Sequence, residues 1–354
     1  MATRSSELGA PIGPGERSLV PPSALEHSVR PWFLVPVEAL PVPVPWSAVA
    51  ISALLFGVGL LLRPAVEPPP GFVWERMLAL VSVIVGYSIV AAWIAIRSAR
   101  RELAALRPLL SCSDAEYDDL DTAVIRQRPS SLIIAALMGL GISAALTYYL
   151  TSAAGLTLRR VPGTLIAMAA LEWVIVISAS WILLSIALVF RWVGARLPRI
   201  DLFQLEALVP FQRLGLRLSL LLLGLFAIRF VIGARPGNLG YLAITSGVAM
   251  MLGTALLLLP LWGVHRRIGV EKERELAAVR RGIDNERARH RPESTNVSRE
   301  FLDLVEYKER VGSVPDWPLD VPAVLRFGLY LTIPVLGWVG GAAMERLLDV
   351  FMAP

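Results

Sequence analysis

The amino-acid sequence predicts an all-α membrane protein of about seven transmembrane helices with cytoplasmic helical hairpin extensions. Three observations carry that reading. Of the 354 residues 55% are hydrophobic and only 18% charged, with a mean hydropathy of +0.60, whereas soluble domains hold about 25% charged residues. The apolar surplus is gathered into nearly uncharged blocks. These are long enough, at about 1.5 Å of rise per residue, to cross a hydrocarbon core of roughly 30 Å. The blocks are Leu, Ala, Ile, Val and Gly runs without two-residue alternation. Inside lipid every backbone polar group needs a partner in the chain, so only helices or closed barrels span it. The absence of alternation selects helices.

Residues 1–45 hold Pro11, Pro14, Pro21, Pro22, Pro31, Pro36, Pro41, Pro43 and Pro45 and lack a signal-peptide core. They read as an extended or disordered cytoplasmic tail, with Trp32 and Phe33 at the membrane interface. Spans follow at roughly 46–62, 78–96, 131–150, 163–190, 214–233, 239–262 and 322–343. The organisation is therefore two spans within 46–96, a connection over 97–130 and four spans within 131–263. A hairpin over 264–320 follows, and the seventh span with a short C-terminus occupies 321–354.

Orientation follows from Lys and Arg, which accumulate on the cytoplasmic side. With the N-terminus inside, 27 of the 34 basic residues fall on the inner side, counting Arg217 and Arg326 at the inner ends of their spans, 6 fall outside, and Arg229 falls deep within a span. The expected location is a bacterial inner (plasma) membrane. The net charge of +5 and the pI of about 9.7 then point to anionic lipid and not to nucleic acid, because the basic residues flank apolar blocks.

Both long inner connections read as folded. Residues 97–110 continue the second span as a basic helix. Ser113 and Glu116 have capping-box spacing ahead of a helix with Asp114, Asp118 and Asp119 in its first turns. Tyr117, Leu120 and Val124 share a face of it. Farther on, 264–291 extends the sixth span as a charged helix with a stripe of Ile268, Leu276, Val279 and Ile283. Pro292 ends it, and a second helix of about 299–311 completes the hairpin, stopped at Gly312. Asp320 is placed to cap the last span.

Several residues carry a functional reading beside a structural one. Glu172 in the fourth span and Arg229 in the fifth sit at similar depth, where charge is costly. They form either a latch between helices or part of a proton or ion pathway. Gly337 and Gly341 make a GxxxG pair, and Ser82 with Gly86, Gly141 with Ala145 and Ala249 with Gly253 are similar small pairs. Such faces permit close helix packing or oligomerisation. Pro260 and Pro334 lie in spans and imply a static kink or a gating hinge. His265, Arg266 and Arg267 stand where headgroup phosphates would meet them.

Other chemistries find no footing. Cys112 is the only cysteine, which removes intramolecular disulfides and cysteine metal clusters. His27, His265 and His290 lie in separate segments, and the acids from Asp114 to Asp121 lack the glycine and distal glutamate of a calcium loop. No P-loop, dinucleotide loop or GxSxG is present, so no cofactor is expected.

Two stretches carry a resemblance. One is Pro260 to Ile268, PLWGVHRRI, with Lys272, Glu275 and Leu276 after it. The other is Trp317 to Asp320, WPLD, followed by Leu325, Arg326, Phe327, Pro334, Gly340, Gly341, Glu345 and Arg346. Together these resemble uncharacterised multi-pass integral membrane proteins of bacteria and archaea, over about the last quarter of the chain. The resemblance implies fold and localisation and no mechanism.

Two functions remain open. One is a non-enzymatic membrane protein whose hairpin serves assembly, as a homo-oligomer or with a membrane or cytoplasmic partner. The other is a channel or secondary transporter using Glu172 and Arg229. An intramembrane enzyme lacks any converging nucleophile, base or metal set.

Overall fold

A computed structural model describes residues 28–62, 74–153, 162–198, 200–233, 239–289 and 299–333, with Leu336 and Gly340. The helices are α1 (Val35–Glu38), α2 (Val44–Leu61), α3 (Trp74–Leu106), α4 (Asp114–Ile125), α5 (Pro129–Ala153), α6 (Gly163–Ala195), α7 (Val209–Gly233), α8 (Leu239–Arg289), α9 (Arg299–Ser313) and α10 (Val321–Ile333). No strand forms among the described residues. Val29 and Gln127 make an isolated antiparallel bridge.

Six helices, α2, α3, α5, α6, α7 and α8, are long and apolar enough to cross a membrane. The chain is a multi-pass membrane protein. The seventh expected span is described mainly over α10, which by itself is a shorter apolar helix. Pro334, Gly337 and Gly341 lie outside the described residues.

Burial sorts the spans. The most apolar windows of α3, α6 and α7 are 61%, 56% and 56% buried, against 22% for both α2 and α5. Helices α3, α6 and α7 are accordingly the centre, with α3 packed on α6 and α7, and α8, whose window is 33% buried, packs on the same two helices. Helix α2 lies against α3, and α5 against α6. The outward faces stay apolar, with Ile133, Ile134, Leu137 and Met138 on α5 and Ile244, Val248 and Met251 on α8 all exposed. A surface of this kind is too large and too apolar for water and suits lipid.

Glycine permits the closest approaches. A Cβ on Gly263 of α8 would collide with the Arg191 carbonyl of α6, and one on Gly194 would lie 2.7 Å from a Val264 methyl. On α5 the tight position is Gly139, whose added Cβ would sit 2.7 Å from the Trp173 carbonyl oxygen. The sequence pointed instead to Gly141, which faces open space. Gly86 and Gly253 do pack closely, against Ser52 and Leu223.

Part of the N-terminal tail differs from expectation. Residues 28–43 are ordered, with Phe33, Leu34 and Val37 buried in the main core. Pro36 stands in the first turn of α1. A proline there supplies a helical φ and loses only an amide that would be orphaned anyway. The proline-rich stretch therefore starts helices here as well as interrupting them. Trp32 is 46% exposed, while Phe33 meets it edge-on and is buried.

The two connections are mainly helical where they are described; Pro292 lies outside the described residues, and α9 runs through Gly312 to Ser313. Ser113 caps α4 with a complete capping box: its Oγ accepts from the Glu116 amide, and the Glu116 carboxylate accepts from the Ser113 amide at 2.9 Å. Leu120 and Val124 are buried beneath α4. The acids meet arginine, with Asp121 2.8 Å from Arg100 and Asp114 paired with Arg107. Helix α8 runs unbroken for 51 residues through Pro260. Asp320 caps α10, its Oδ1 accepting from the Ala323 amide at 2.9 Å.

Gly263→Ala is expected to destabilise the protein by about 1–3 kcal/mol, the usual penalty for overpacking against fixed atoms. Gly141→Ala, whose Cβ would meet open space, should instead be neutral or stabilise by up to about 1 kcal/mol through helix propensity. Unfolding midpoints in detergent compare the two. Equal midpoints would mean that the α6–α8 crossing is not as tight as described.

Candidate functional site

A buried ion pair lies in the bundle interior between α6 and α7. Glu172 has a side chain only 1% exposed, and that of Arg229 is 16% exposed. Arg229 Nη1 donates to Glu172 Oε1 at 2.5 Å. The guanidinium carbon also lies 4.5 Å over the ring of Trp173, the next residue of α6. Desolvating either ion alone costs several kcal/mol, and the pairing offsets much of that. The cation–π contact adds a second electrostatic partner in low dielectric.

Helices α6 and α7 otherwise touch only slightly, since α3 and α8 lie against both. The pair therefore bridges two helices that have little direct packing of their own. Nearby packing is dense. A cavity of about 10 Å³ lies between α3, α6 and α7, lined by Tyr87, Ala179, Leu183 and Leu225 among others. That is room for about one water. Tyr87 spans these helices by donating its hydroxyl to the Leu221 carbonyl at 2.8 Å.

A second constellation sits where α8 leaves the bundle. Arg267 donates to the carbonyls of Leu197 and Pro198, both at 2.9 Å, just past the end of α6. Its charge therefore meets the negative end of that helix, where carbonyls lack intrahelical partners. His265 stacks on Trp317 with ring centroids 4.2 Å apart, and its Nδ1 lies 2.7 Å from the Asp316 carbonyl oxygen, a geometry that puts the proton on Nδ1. Lys272 reaches the Val314 carbonyl and the Asp316 carboxylate, each at 2.9 Å. Gln212 of α7 donates to Asp320 at 2.6 Å. Two of the three residues expected at headgroups, His265 and Arg267, thus have partners inside the chain, while Arg266 is exposed.

The apolar stripe of the hairpin is covered. Ile268, Val279 and Ile283 are buried, as is Val311 of α9. Tyr307 packs on Phe203, with centroids 6.0 Å apart, and reaches the Glu275 carboxylate at 3.4 Å. Burial raises the Tyr307 phenol pKa, with the Glu275 charge adding to the effect.

Glu102 was not anticipated. It is buried in α3 with Oε1 3.9 Å from Arg217 Nη1. A signal existed, because Glu102 is the one acid between Arg97 and Leu110, in a run with four arginines.

Arg229→Met alone should cost about 3 kcal/mol or more, because it strands a buried carboxylate. Adding Glu172→Leu should restore most of the loss. A double-mutant cycle of unfolding free energies in detergent reads the coupling. Simple additivity of the two single losses would rule out the latch.

No family model, curated protein or solved structure matches the chain.

Proposed function

We propose that the chain is a non-enzymatic protein of a bacterial inner (plasma) membrane, with its N-terminus in the cytoplasm. In this reading the α8–α9 hairpin is a rigid cytoplasmic contact element for a second copy or another protein. One observation carries it. Helix α8 continues without a break from the bundle into the hairpin, and its exit is clamped by Arg267, His265 and Lys272. An element held this firmly keeps its ordering cost low when a partner binds. The distribution of Lys and Arg supports the cytoplasmic placement.

The hairpin's apolar stripe is spent on its own fold, so the contact surface is the outer, charged one. Glu273, Arg274, Arg280, Arg281 and Asp284 are exposed on α8, as are Asp303, Glu306 and Arg310 on α9, with Leu302 among them. Contacts of that kind weaken with salt. The channel or transporter reading draws less support, because Glu172 and Arg229 are closed on one another. A closed pair suits a latch better than a relay.

The full chain in nanodiscs should run as an oligomer, or with a stoichiometric protein, in low salt. The R274E/R281E variant should release it while unfolding at the same temperature. A bare monomer at every salt concentration would remove the assembly reading.

Topology has its own test through Cys112, the sole cysteine. A membrane-impermeant maleimide should label it in inside-out vesicles and not in intact spheroplasts. Burial raises the thiol pKa, with help from the Glu116 carboxylate. The thiolate is the reactive form, so labelling should be slow at neutral pH and quicken as pH rises. Labelling in intact spheroplasts would invert the orientation.

A further inference from the structure

Arginine is in surplus where α3 and α7 meet at the hairpin end of the bundle. Arg97 and Arg101 stand one turn apart on α3, and Arg213 and Arg217 one turn apart on α7. Residues at that spacing share a helix face. Arg97, Arg101 and Arg217 line a groove of about 270 Å³ between the two helices, with Ser98 beside them and Trp93 and Ile94 as its apolar wall. Arg97 and Arg101 are exposed and, among the described residues, neither forms a salt bridge, although the Glu102 carboxylate also feels the charges of Arg101 and Arg213 at longer range. Arg217 has only Glu102, at 3.9 Å.

The groove has the polarity of a phospholipid. Its apolar wall belongs to the end of the uncharged run of α3, and Arg97 is the first charge beyond it. The Arg97 guanidinium carbon lies 5.1 Å over the Trp93 ring, so charge and apolar surface are stacked in one short column. Tryptophan favours headgroup level. Guanidinium forks match phosphate oxygens two at a time.

We propose that this groove binds the phosphodiester headgroup of an anionic glycerophospholipid. Arg97, Arg101 and Arg217 take the phosphate oxygens, and Trp93 with Ile94 meets the top of an acyl chain. A free phosphate would leave that apolar wall uncovered. A zwitterionic headgroup would bring an ammonium that the groove does not match, because Glu102 is buried and lies against Arg217. The site rests on the membrane-spanning architecture and not on the partner contact assigned to the hairpin.

The test uses the full chain in mild detergent, with native mass spectrometry after adding phosphatidylglycerol, phosphatidylcholine or inorganic phosphate. Phosphatidylglycerol should bind about tenfold more tightly than phosphatidylcholine, given the energy of a basic residue at an anionic headgroup. R97Q/R101Q should bring the ratio to within about twofold, while R274Q/R281Q, on the hairpin, should keep it. If the double variant fails to fold, R97Q alone reads the site through an about threefold loss. Equal binding of the two lipids, or a ratio unchanged by R97Q and R97Q/R101Q, would overturn the proposal. So would displacement of phosphatidylglycerol by an equal concentration of inorganic phosphate, which would mark a plain anion pocket.

Discussion

The crossing of α6 and α8 at Gly194 and Gly263 is the constraint on which the hairpin end depends. Each glycine faces the other helix's main chain, Gly263 the Arg191 carbonyl and Gly194 the Val264 amide. Without a Cβ at either position the helices pack by backbone contact, which favours weak Cα–H···O interactions and dispersion. The crossing lies at the point where α8 leaves the apolar bundle, so it sets the direction of everything after it. Arg267, one turn beyond Gly263, then meets the open carbonyls past α6. Ile268 is buried in the same core. His265 and Lys272 secure the returning segment at Asp316. That segment delivers Asp320 to Gln212 and to the start of α10. A wider crossing would move each of these contacts in turn.

Much of this architecture was legible in the sequence. Glu172 and Arg229 stood out as lone charges at matching depth in adjacent apolar spans, and they pair. Local chemistry was legible as well. Ser113 and Glu116 make the capping box, Asp320 caps α10, and α9 occupies Arg299–Ser313. These features depend on neighbours a few residues away, which a sequence displays directly.

What escaped depends on which face of a helix meets protein. Lipid is as apolar as leucine, so a membrane helix is hydrophobic all round and carries little record of its inward side. Gly139 and Gly141 of α5 look alike in sequence, yet one abuts the α6 backbone and the other faces open space. Glu102 is similar: its partner Arg217 lies on a distant helix, and local charge alone made its surroundings look merely basic. The arm at residues 28–43 was hidden for a different reason. Its prolines suggested an extended chain, but burial of Phe33, Leu34 and Val37 against the core supplies the order.

Helix α7 shows why the two ends of the bundle treat arginine in opposite ways. Arg217 shares a groove with Arg97, the first charge after the apolar run of α3. Both therefore stand at the edge of the hydrocarbon. Arg229 is three turns farther along α7, about 18 Å at the usual helical rise. That is well inside a hydrocarbon core of roughly 30 Å, four residues before α7 ends at Gly233. The arginines at the edge can leave charge open to lipid phosphates. Arg229 is instead held by fixed partners, the Glu172 carboxylate and the face of Trp173. The same residue type thus faces a mobile anion at one level and a fixed one at the other. The distance between them along one helix, measured against bilayer thickness, decides which.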